Sequence, residues 1–271
     1  LQELIYGAND VILASHLADL HGGWVLTIPI LGGLAVGLIM QRFTADGQAR
    51  TVAHVIEGAA LHDGQVDTRS GWASPLASLI TLSTGGSTGR EGPVVHLAAL
   101  ISSHVARWLH ADGVTGRDLL GCAVAAAVSA SFNAPIAGAI FALEVILRHF
   151  AVHAFAPIVI ASVAGAVVSR LTVGNVTEFM LPPHTLAFYV ELPAFMILGL
   201  ICGLVASVMM WIIFAAEDLG DAIQNVTRMP GWARPAAAGA LLGGIAIFFP
   251  HIIGVGYETT SRALTEGLYF W

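Results

Sequence analysis

The residues with the clearest potential for chemistry lie in the segment STGGSTGREGP, which covers residues 83–93. An uncharged stretch ends here in the pair Arg90 and Glu91, and a glycine, Pro93 and a new apolar helical pattern follow. Proline is favoured in the first turn of a helix because its missing N–H is not needed there. The pattern therefore predicts a helix over 92–108 with Glu91 at its amino terminus.

A carboxylate at this position is expected to be only marginally stable if the helix starts inside a membrane. The helix dipole favours an anion at its N-terminus by about 0.3–1 kcal/mol, and by about 2 kcal/mol where the group is partly buried. Burial of an ionised carboxylate at the centre of a bilayer costs about 2.5–3.5 kcal/mol on insertion scales. Another anion could then displace Glu91, or a proton could neutralise it. A glutamate that caps its helix in the lipid headgroup region is the alternative.

Two other patterns are similar to catalytic or metal sites. Residues 85–89, GGSTG, fit the G-x-S-x-G pattern of a serine nucleophile, but that turn needs a strand and a helix in an α/β sheet. Period-2 alternation is almost absent from the chain, so an intramembrane serine hydrolase using Ser87 is kept only as the alternative from a different functional class. His149 and His153 have the i, i+4 spacing of helical metal ligands, but no further ligand completes a zinc set nearby. We therefore expect neither a metal site nor an enzyme.

The composition excludes several classes of function. The chain has 271 residues, of which 56% are hydrophobic and 11% are charged, and its mean hydropathy is +0.78. All eleven basic residues are arginine, and the absence of lysine excludes a phosphate-loop lysine and a lysine Schiff base. The net charge of −7 argues against a nucleic-acid partner, because such partners attract basic proteins.

Long runs without charge predict an all-α polytopic membrane protein. A helix needs about 20 apolar residues to cross the hydrocarbon core, and a soluble helical protein would need a charged face on most of its helices. The lipid bilayer is therefore the expected partner of most of this surface. The uncharged runs are 20–41, 70–89, 119–143, 149–169, 192–216 and 235–257.

Proline and glycine interrupt these runs, and some apolar pieces are too short to span a bilayer, notably 92–106 and 135–143. At membrane depth a broken helix needs protein or an aqueous cavity to cover its ends, and transporters use such ends to bind anions. We predict tilted, broken helices and re-entrant half-helices in a single transmembrane domain over 1–271. We expect this domain to be incomplete, without a soluble regulatory domain.

Two motifs together give a resemblance to a known family. Residues 89–93 read GREGP, and residues 131–144 read SFNAPIAGAIFALE. In this order and spacing they resemble the GREGP and FNAPLAG…E segments of the CLC family of chloride channels and chloride/proton antiporters. The resemblance extends over nearly the whole chain and implies inverted repeats, with most of the first over 1–171 and the start of the second over 190–271.

The resemblance implies transport of chloride or similar small anions by an integral membrane protein, in a bacterial inner membrane. It implies that helix N-termini converge on a dehydrated chloride, with the backbone amides of Arg90, Glu91 and Gly92 as candidate ligands. Glu91 would be the gate, whose carboxylate leaves an anion site when chloride competes or a proton neutralises it. Chloride is the only ligand implied, and no cofactor is. The family forms homodimers with one pore per subunit, and helices 135–143 and 154–171 would supply part of that interface.

Three departures from the family pattern bear on the mechanism. Residues 56–59, IEGA, match the family, but the GSGIP motif expected before them is replaced by 50–54, RTVAH, in which only Thr51 keeps a hydroxyl for the anion. Glu144 matches the first glutamate after FNAP, whereas Val145 occupies the proton-relay position of antiporters and cannot titrate. The later GxFxP motif and pore tyrosine would lie beyond the last residue. The prediction is channel-like or weakly proton-coupled transport, with an antiporter that uses an atypical proton path as the alternative.

Overall fold

The described residues form helices joined by turns and loops. The computed structural model describes residues 2–7, 22–44, 47, 49–89, 91–150, 152–174 and 188–265, and no β-strand occurs within these ranges. The α-helices are α1 (Gln2–Tyr6), α2 (Gly22–Phe43), α3 (Val52–Leu61), α4 (Thr68–Gly71), α5 (Ala73–Ser83), α6 (Glu91–Trp108), α7 (Gly113–Phe132), α8 (Pro135–Phe141), α9 (Val152–Thr172), α10 (Phe188–Thr227), α11 (Arg234–Phe248) and α12 (Tyr257–Leu264). A π-helical turn, Ala142–Leu147, continues α8, and two 3-10 turns, Gly231–Ala233 and Pro250–Ile252, flank α11.

Four of the six uncharged runs correspond to helices that are long and apolar enough to cross a membrane. These helices are α2, α9, the part of α10 from Glu191 to Thr227, and the stretch Gly231–Phe248 that includes α11. Helix α10 continues past the uncharged run to Thr227 and takes in three acidic residues on the way.

The other two runs are broken, as the prolines and glycines predict. The run 70–89 forms only the 11-residue helix α5 and then a loop. The run 119–143 is divided at Asn133, which takes a left-handed conformation with φ of 52° and ends α7. Pro135 then begins α8, where its missing N–H has no cost.

The largest buried cluster lies between helices α3, α6, α7, α8 and α9. Its completely buried side chains include Val55 of α3, Leu120 and Val124 of α7, and Ile158 of α9. Because lipid tails are as apolar as leucine, close packing contributes more than the hydrophobic effect to holding such helices together in a membrane. This cluster therefore fixes the position of α6, whose first residue is Glu91.

Polar contacts fix the first turns of α7 and α9. The Thr115 N–H donates a hydrogen bond of 2.9 Å to the Asp112 carboxylate, so Asp112 is the N-cap of α7. Hydrogen bonds from Thr115 lower the pKa of the Asp112 carboxyl below its ordinary value. One turn further, the Asp118 carboxylate lies 3.0 Å from Nδ1 of His153 in α9.

Helices α2 and α11 pack at close range through glycines. A Cβ added at Gly33 of α2 would overlap the backbone of Pro235, and a Cβ added at Gly239 of α11 would overlap the backbone of Pro29. Small residues at such a crossing let two membrane helices approach until their backbones touch. The crossing holds α2 and α11 as one unit, against which α5 also packs.

This crossing predicts different effects for two substitutions on the same helix. Gly239→Ala would place a methyl group against the backbone of Pro29, and overpacking of this kind costs about 1–3 kcal/mol. Gly244→Ala is the matched control, because its Cβ would meet no atom of the described residues within 4 Å. We expect a lower melting temperature of the purified protein for Gly239→Ala only. Equal melting temperatures for the two variants would contradict the close crossing.

Candidate functional site

Helix α6 begins at Glu91 itself. Its 18 residues start with the acidic residue, and Pro93 follows in the first turn, so the helix predicted over 92–108 is present with its first residue at 91. The first-turn amides of a helix have no intrahelical acceptor and carry the positive end of its dipole. A Cβ at Gly92 would meet no atom of the described residues within 4 Å, so the described residues leave room beside its Cα. Arg90 lies outside the described residues.

The carboxylate of Glu91 is half-buried and folds back over the loop that precedes its helix. A Cβ added at Gly89 would come within 2.7 Å of Oε2 of Glu91, which shows how closely the carboxylate lies against the backbone there. Among the described residues the carboxylate makes no hydrogen bond or ion pair. Within the described part of the chain, the side chain is therefore held by packing and by the field of the helix.

Contacts from both ends of the chain hold the loop before Glu91. The buried Tyr6 donates a hydrogen bond of 2.9 Å from its hydroxyl to the carbonyl of Thr84. Gly85 has φ of 95°, a conformation that favours glycine, and its carbonyl accepts a 3.1 Å hydrogen bond from the N–H of Gly254. The Ser87 hydroxyl donates to the carbonyl of Ile252. Helix α1 and the segment after α11 thus fix the approach to the start of α6.

Comparison with known proteins identifies the family. The sequence profile of the voltage-gated chloride channel family matches residues 32–271. The chain belongs to this CLC family. The resemblance seen in the two motifs is thereby confirmed, and membership places the chain among channels and transporters of the membrane and not among enzymes.

Relatives and solved structures extend this result along the chain. The voltage-gated ClC-type chloride channel ClcB of Escherichia coli (strain SMS-3-5 / SECEC) is 29% identical over 89% of this chain, and the chloride channel protein CLC-e of Arabidopsis thaliana is 27% identical over 92%. The chain spans 57% and 36% of these two relatives. The crystal structure of a slow cyanobacterial Cl−/H+ antiporter matches with a TM-score of 0.79 at 20% identity, over 99% of this chain and 64% of that one. The CLC fold is therefore present over the length of this chain.

Thr51, which the motif resemblance offers in place of the family's serine, lies at the start of α3 and is exposed. Its N–H donates to Nδ1 of His54 at 3.1 Å, so the imidazole of this CLC chain caps the helix end. Helices α3 and α6 pack against each other, but no described hydrogen bond joins Thr51 to Glu91. A guanidinium nitrogen of Arg50, which can only donate, lies 3.1 Å from Nε2 of the same imidazole. A positive charge therefore lies beside this helix start.

The two residues at the family's proton-relay segment differ in their surroundings. Glu144 in the π-helical turn is exposed, whereas Val145 is half-buried and packs against the main apolar cluster. The side chain that points into the protein in this segment is therefore the one that cannot carry a proton.

The patterns that suggested an enzyme or a metal site have other structural explanations. The Ser87 hydroxyl proton is directed to the Ile252 carbonyl, whereas a serine nucleophile needs a base within hydrogen-bond reach. His153 pairs with Asp118. Within the described residues no group of three potential ligands is positioned for a metal ion.

Sequence analysis did not find three residues that the structure brings into the neighbourhood of the site. Tyr6 and Gly254 contact the loop before Glu91 from distant parts of the chain, and no local pattern marks them. His96 is 1% exposed on α6. A histidine within the apolar sequence that follows Pro93 was the one available signal for it.

The contact from Tyr6 leads to a prediction about the loop. Tyr6→Phe removes a hydrogen bond worth about 1 kcal/mol and keeps the ring, so opening of residues 84–89 should become about fivefold more frequent. Amide hydrogen exchange of peptides that cover this loop measures the change. Tyr189→Phe, at a tyrosine that is 83% exposed on α10, serves as the control. Unchanged exchange in Tyr6→Phe would show that α1 does not hold the loop.

Proposed function

We propose that the protein containing this chain transports chloride, or a similar small anion, across a membrane, with Glu91 as the gate. The observation that carries this proposal is the half-buried carboxylate at the start of an 18-residue helix, folded over Gly89 beside an open space at Gly92. Membership of the CLC family and the chloride-channel names of the relatives support the same function.

The gate follows from competition between two anions for one set of donors. First-turn amides and the helix dipole favour one negative charge near the start of α6. When Glu91 is ionised, its carboxylate fills this position; when chloride competes or a proton neutralises the carboxylate, the side chain leaves and the anion takes the amides. The backbone N–H groups of Arg90, Glu91 and Gly92 are the proposed ligands, and Thr51 supplies a hydroxyl on the other side of the pathway. Anion flux should therefore rise as external pH falls.

The surroundings of Val145 favour a channel-like or weakly coupled mechanism. Valine faces the apolar cluster at the position where antiporters have their relay carboxylate, and Glu144 faces away from it. A proton that reaches Glu91 from the outside suffices to open the gate, so proton-dependent flux does not require proton transport through the protein.

The larger assembly is also a proposal. We assign residues 1–171 to most of the first inverted repeat of the family and 190–271 to the start of the second, within a homodimer in a bacterial inner membrane. The dimer interface would include α8 and α9, where Ile136 and Ile160 are 77% and 69% exposed.

The proposed interface can be tested by its steric tolerance. Ile136→Trp and Ile160→Trp together should convert the dimer into a monomer in detergent, because two large rings would separate the apolar faces. Mass measurement by light scattering of the full-length protein gives the oligomeric state. Leu200→Trp and Leu204→Trp together are the control, since both leucines are exposed on α10, outside the proposed interface. A dimer that survives in the first variant would place the interface elsewhere.

The gate is tested by chloride efflux from liposomes that contain the full-length protein. Glu91→Gln removes the charge and keeps the size, so the flux should be raised and should no longer respond to external pH. Glu217→Gln removes an exposed carboxylate on α10 and should behave as the unchanged protein. Flux in Glu91→Gln that still depends on pH would remove Glu91 as the gate.

A second variant tests the gate without altering the glutamate. Gly89→Ala places a methyl group within 2.7 Å of the resting position of Oε2 and should push the carboxylate away from the helix start. We expect a raised flux at neutral pH that retains some pH dependence. Gly244→Ala, which has open space for its methyl group, controls for the loss of a glycine.

Antiport is the second candidate function, and one observation favours it. A cavity lined by titratable side chains reaches α6 at His96, which follows Glu91 on the same helix. This cavity offers protons a route that does not involve residue 145.

A further inference from the structure

The cavity lies between α3, α6 and the loop that joins α3 to α4, and its volume is about 590 Å³. A space of this size holds many waters, since each occupies about 30 Å³ of liquid. Most of the residues that line it have polar or charged side chains. The titratable side chains that line it are Arg50, His54, Glu57, His62, Asp63, Asp67 and His96.

His96 forms the inner wall of this cavity and is its most buried titratable side chain. It is 1% exposed, and neither of its ring nitrogens has a hydrogen-bond partner among the described residues. A buried imidazole without partners carries a substantial penalty, because each unsatisfied polar group costs about 1–3 kcal/mol. Such a group is an exception in folded proteins and indicates a water or an ion that completes its bonding.

The other histidines differ from His96 in their contacts. His54 accepts a hydrogen bond from the Thr51 N–H at Nδ1, and its Nε2 lies 3.1 Å from the Arg50 guanidinium. His62 is exposed at the mouth of the cavity, after the end of α3. The cavity thus leads from an exposed imidazole to a buried one.

The charges around the cavity favour a proton over an anion. Three carboxylates line it against one guanidinium, and Asp63 is also 3.5 Å from Arg117 of α7. With its histidines neutral the cavity is negative, which raises the local concentration of protons and repels chloride. Burial opposes protonation of His96 most strongly, His54 and Arg50 oppose it to a smaller extent, and Asp67 favours it.

The remaining elements packed against α6 add few charges. Helix α5 contains no titratable residue, α4 contains Arg69, and α7 contributes Arg117, Asp118 and the thiol of Cys122. The negative character of the cavity therefore comes from Glu57, Asp63 and Asp67.

We propose that this cavity is a proton-loading site, with His96 as its inner acceptor. A ring nitrogen of His96 accepts a proton from water in the cavity, which gives an imidazolium. The imidazolium then releases the proton to water, and the ring is neutral again. His96 follows Glu91 by five residues on the same helix, which is about 7.5 Å along the axis. The site therefore brings protons to within a short water chain of the gate without a carboxylate at residue 145. This proposal rests on the second candidate function, chloride/proton antiport.

Parallel fluxes in liposomes test this role with the full-length protein. A chloride gradient should drive proton movement, which a pH-sensitive dye reports while an electrode follows chloride. His96→Gln cannot accept a proton, and it should lower proton flux by about 100-fold, the lower end of what a positioned proton-transfer group supplies. Chloride flux should stay within about twofold, because the gate itself is unchanged. His104→Gln, at an exposed histidine of α6, is the matched control and should change neither flux.

The outcomes separate this proposal from the proposed function. Proton flux that is equal in His96→Gln and the unchanged protein overturns the site, as does an unchanged protein that conducts chloride but moves no protons. Either result leaves chloride transport standing.

Hydrogen–deuterium exchange at the imidazole C2 position of the unchanged protein decides the remaining cases, in which His96→Gln fails to fold or no chloride flux is found. An exchange rate of His96 that follows a titration curve supports proton uptake from the cavity. Absence of exchange at every pH shows a ring sealed from water and overturns the proposal.

Discussion

The amide groups that open helix α6 have no acceptor within the helix, and in a membrane this constraint governs the described structure around them. Water satisfies such groups at a protein surface, whereas in hydrocarbon each one costs several kcal/mol unless protein or an ion covers it. Glu91 is the covering group in the proposed function, and its carboxylate rests on Gly89 without a fixed partner among the described residues. An external anion can replace a side chain that is held this weakly. The cost of leaving the first-turn amides uncovered is therefore also what favours binding of an anion there.

A helix can start at such a depth only if its surroundings are rigid. The apolar cluster fixes the body of α6 through α3, α7 and α9, while Tyr6 and the segment near Gly254 fix the loop that leads into it. The close crossing of α2 and α11 supports the loop contacts, because Tyr6 and Ile253 share one buried cluster with residues of α2 and α11. Contacts distant in sequence therefore determine where one carboxylate lies.

Local patterns were sufficient for the helical class, for the start of α6 and for the break at Asn133, because each depends on residues adjacent in sequence. Proline and glycine decide where a helix begins or ends whatever packs against it later. In the run 70–89, absence of charge alone does not distinguish a short helix followed by a loop from a continuous span, and the proline and glycines within it predicted the break. Tyr6 and His96 could not be predicted, because their importance comes from partners, or from a lack of partners, that only the folded chain determines. The position of Glu91 came from the local pattern, whereas its role as a gate and the amide ligands came from resemblance to the family.

Helix α10 has 40 residues, which corresponds to a rod of about 60 Å at 1.5 Å per residue. The hydrocarbon core of a bilayer is about 30 Å thick, so this rod must lean strongly or extend well into the headgroup layer. Its carboxyl-terminal part carries Glu217, Asp218 and Asp221, and Arg234 at the start of α11 binds Asp221. These charges keep one end of α10 in water. The apolar remainder can tilt to match its length to the thickness of the bilayer. A thinner or thicker lipid environment would thus turn α10 and, through Arg234, shift α11 against α2.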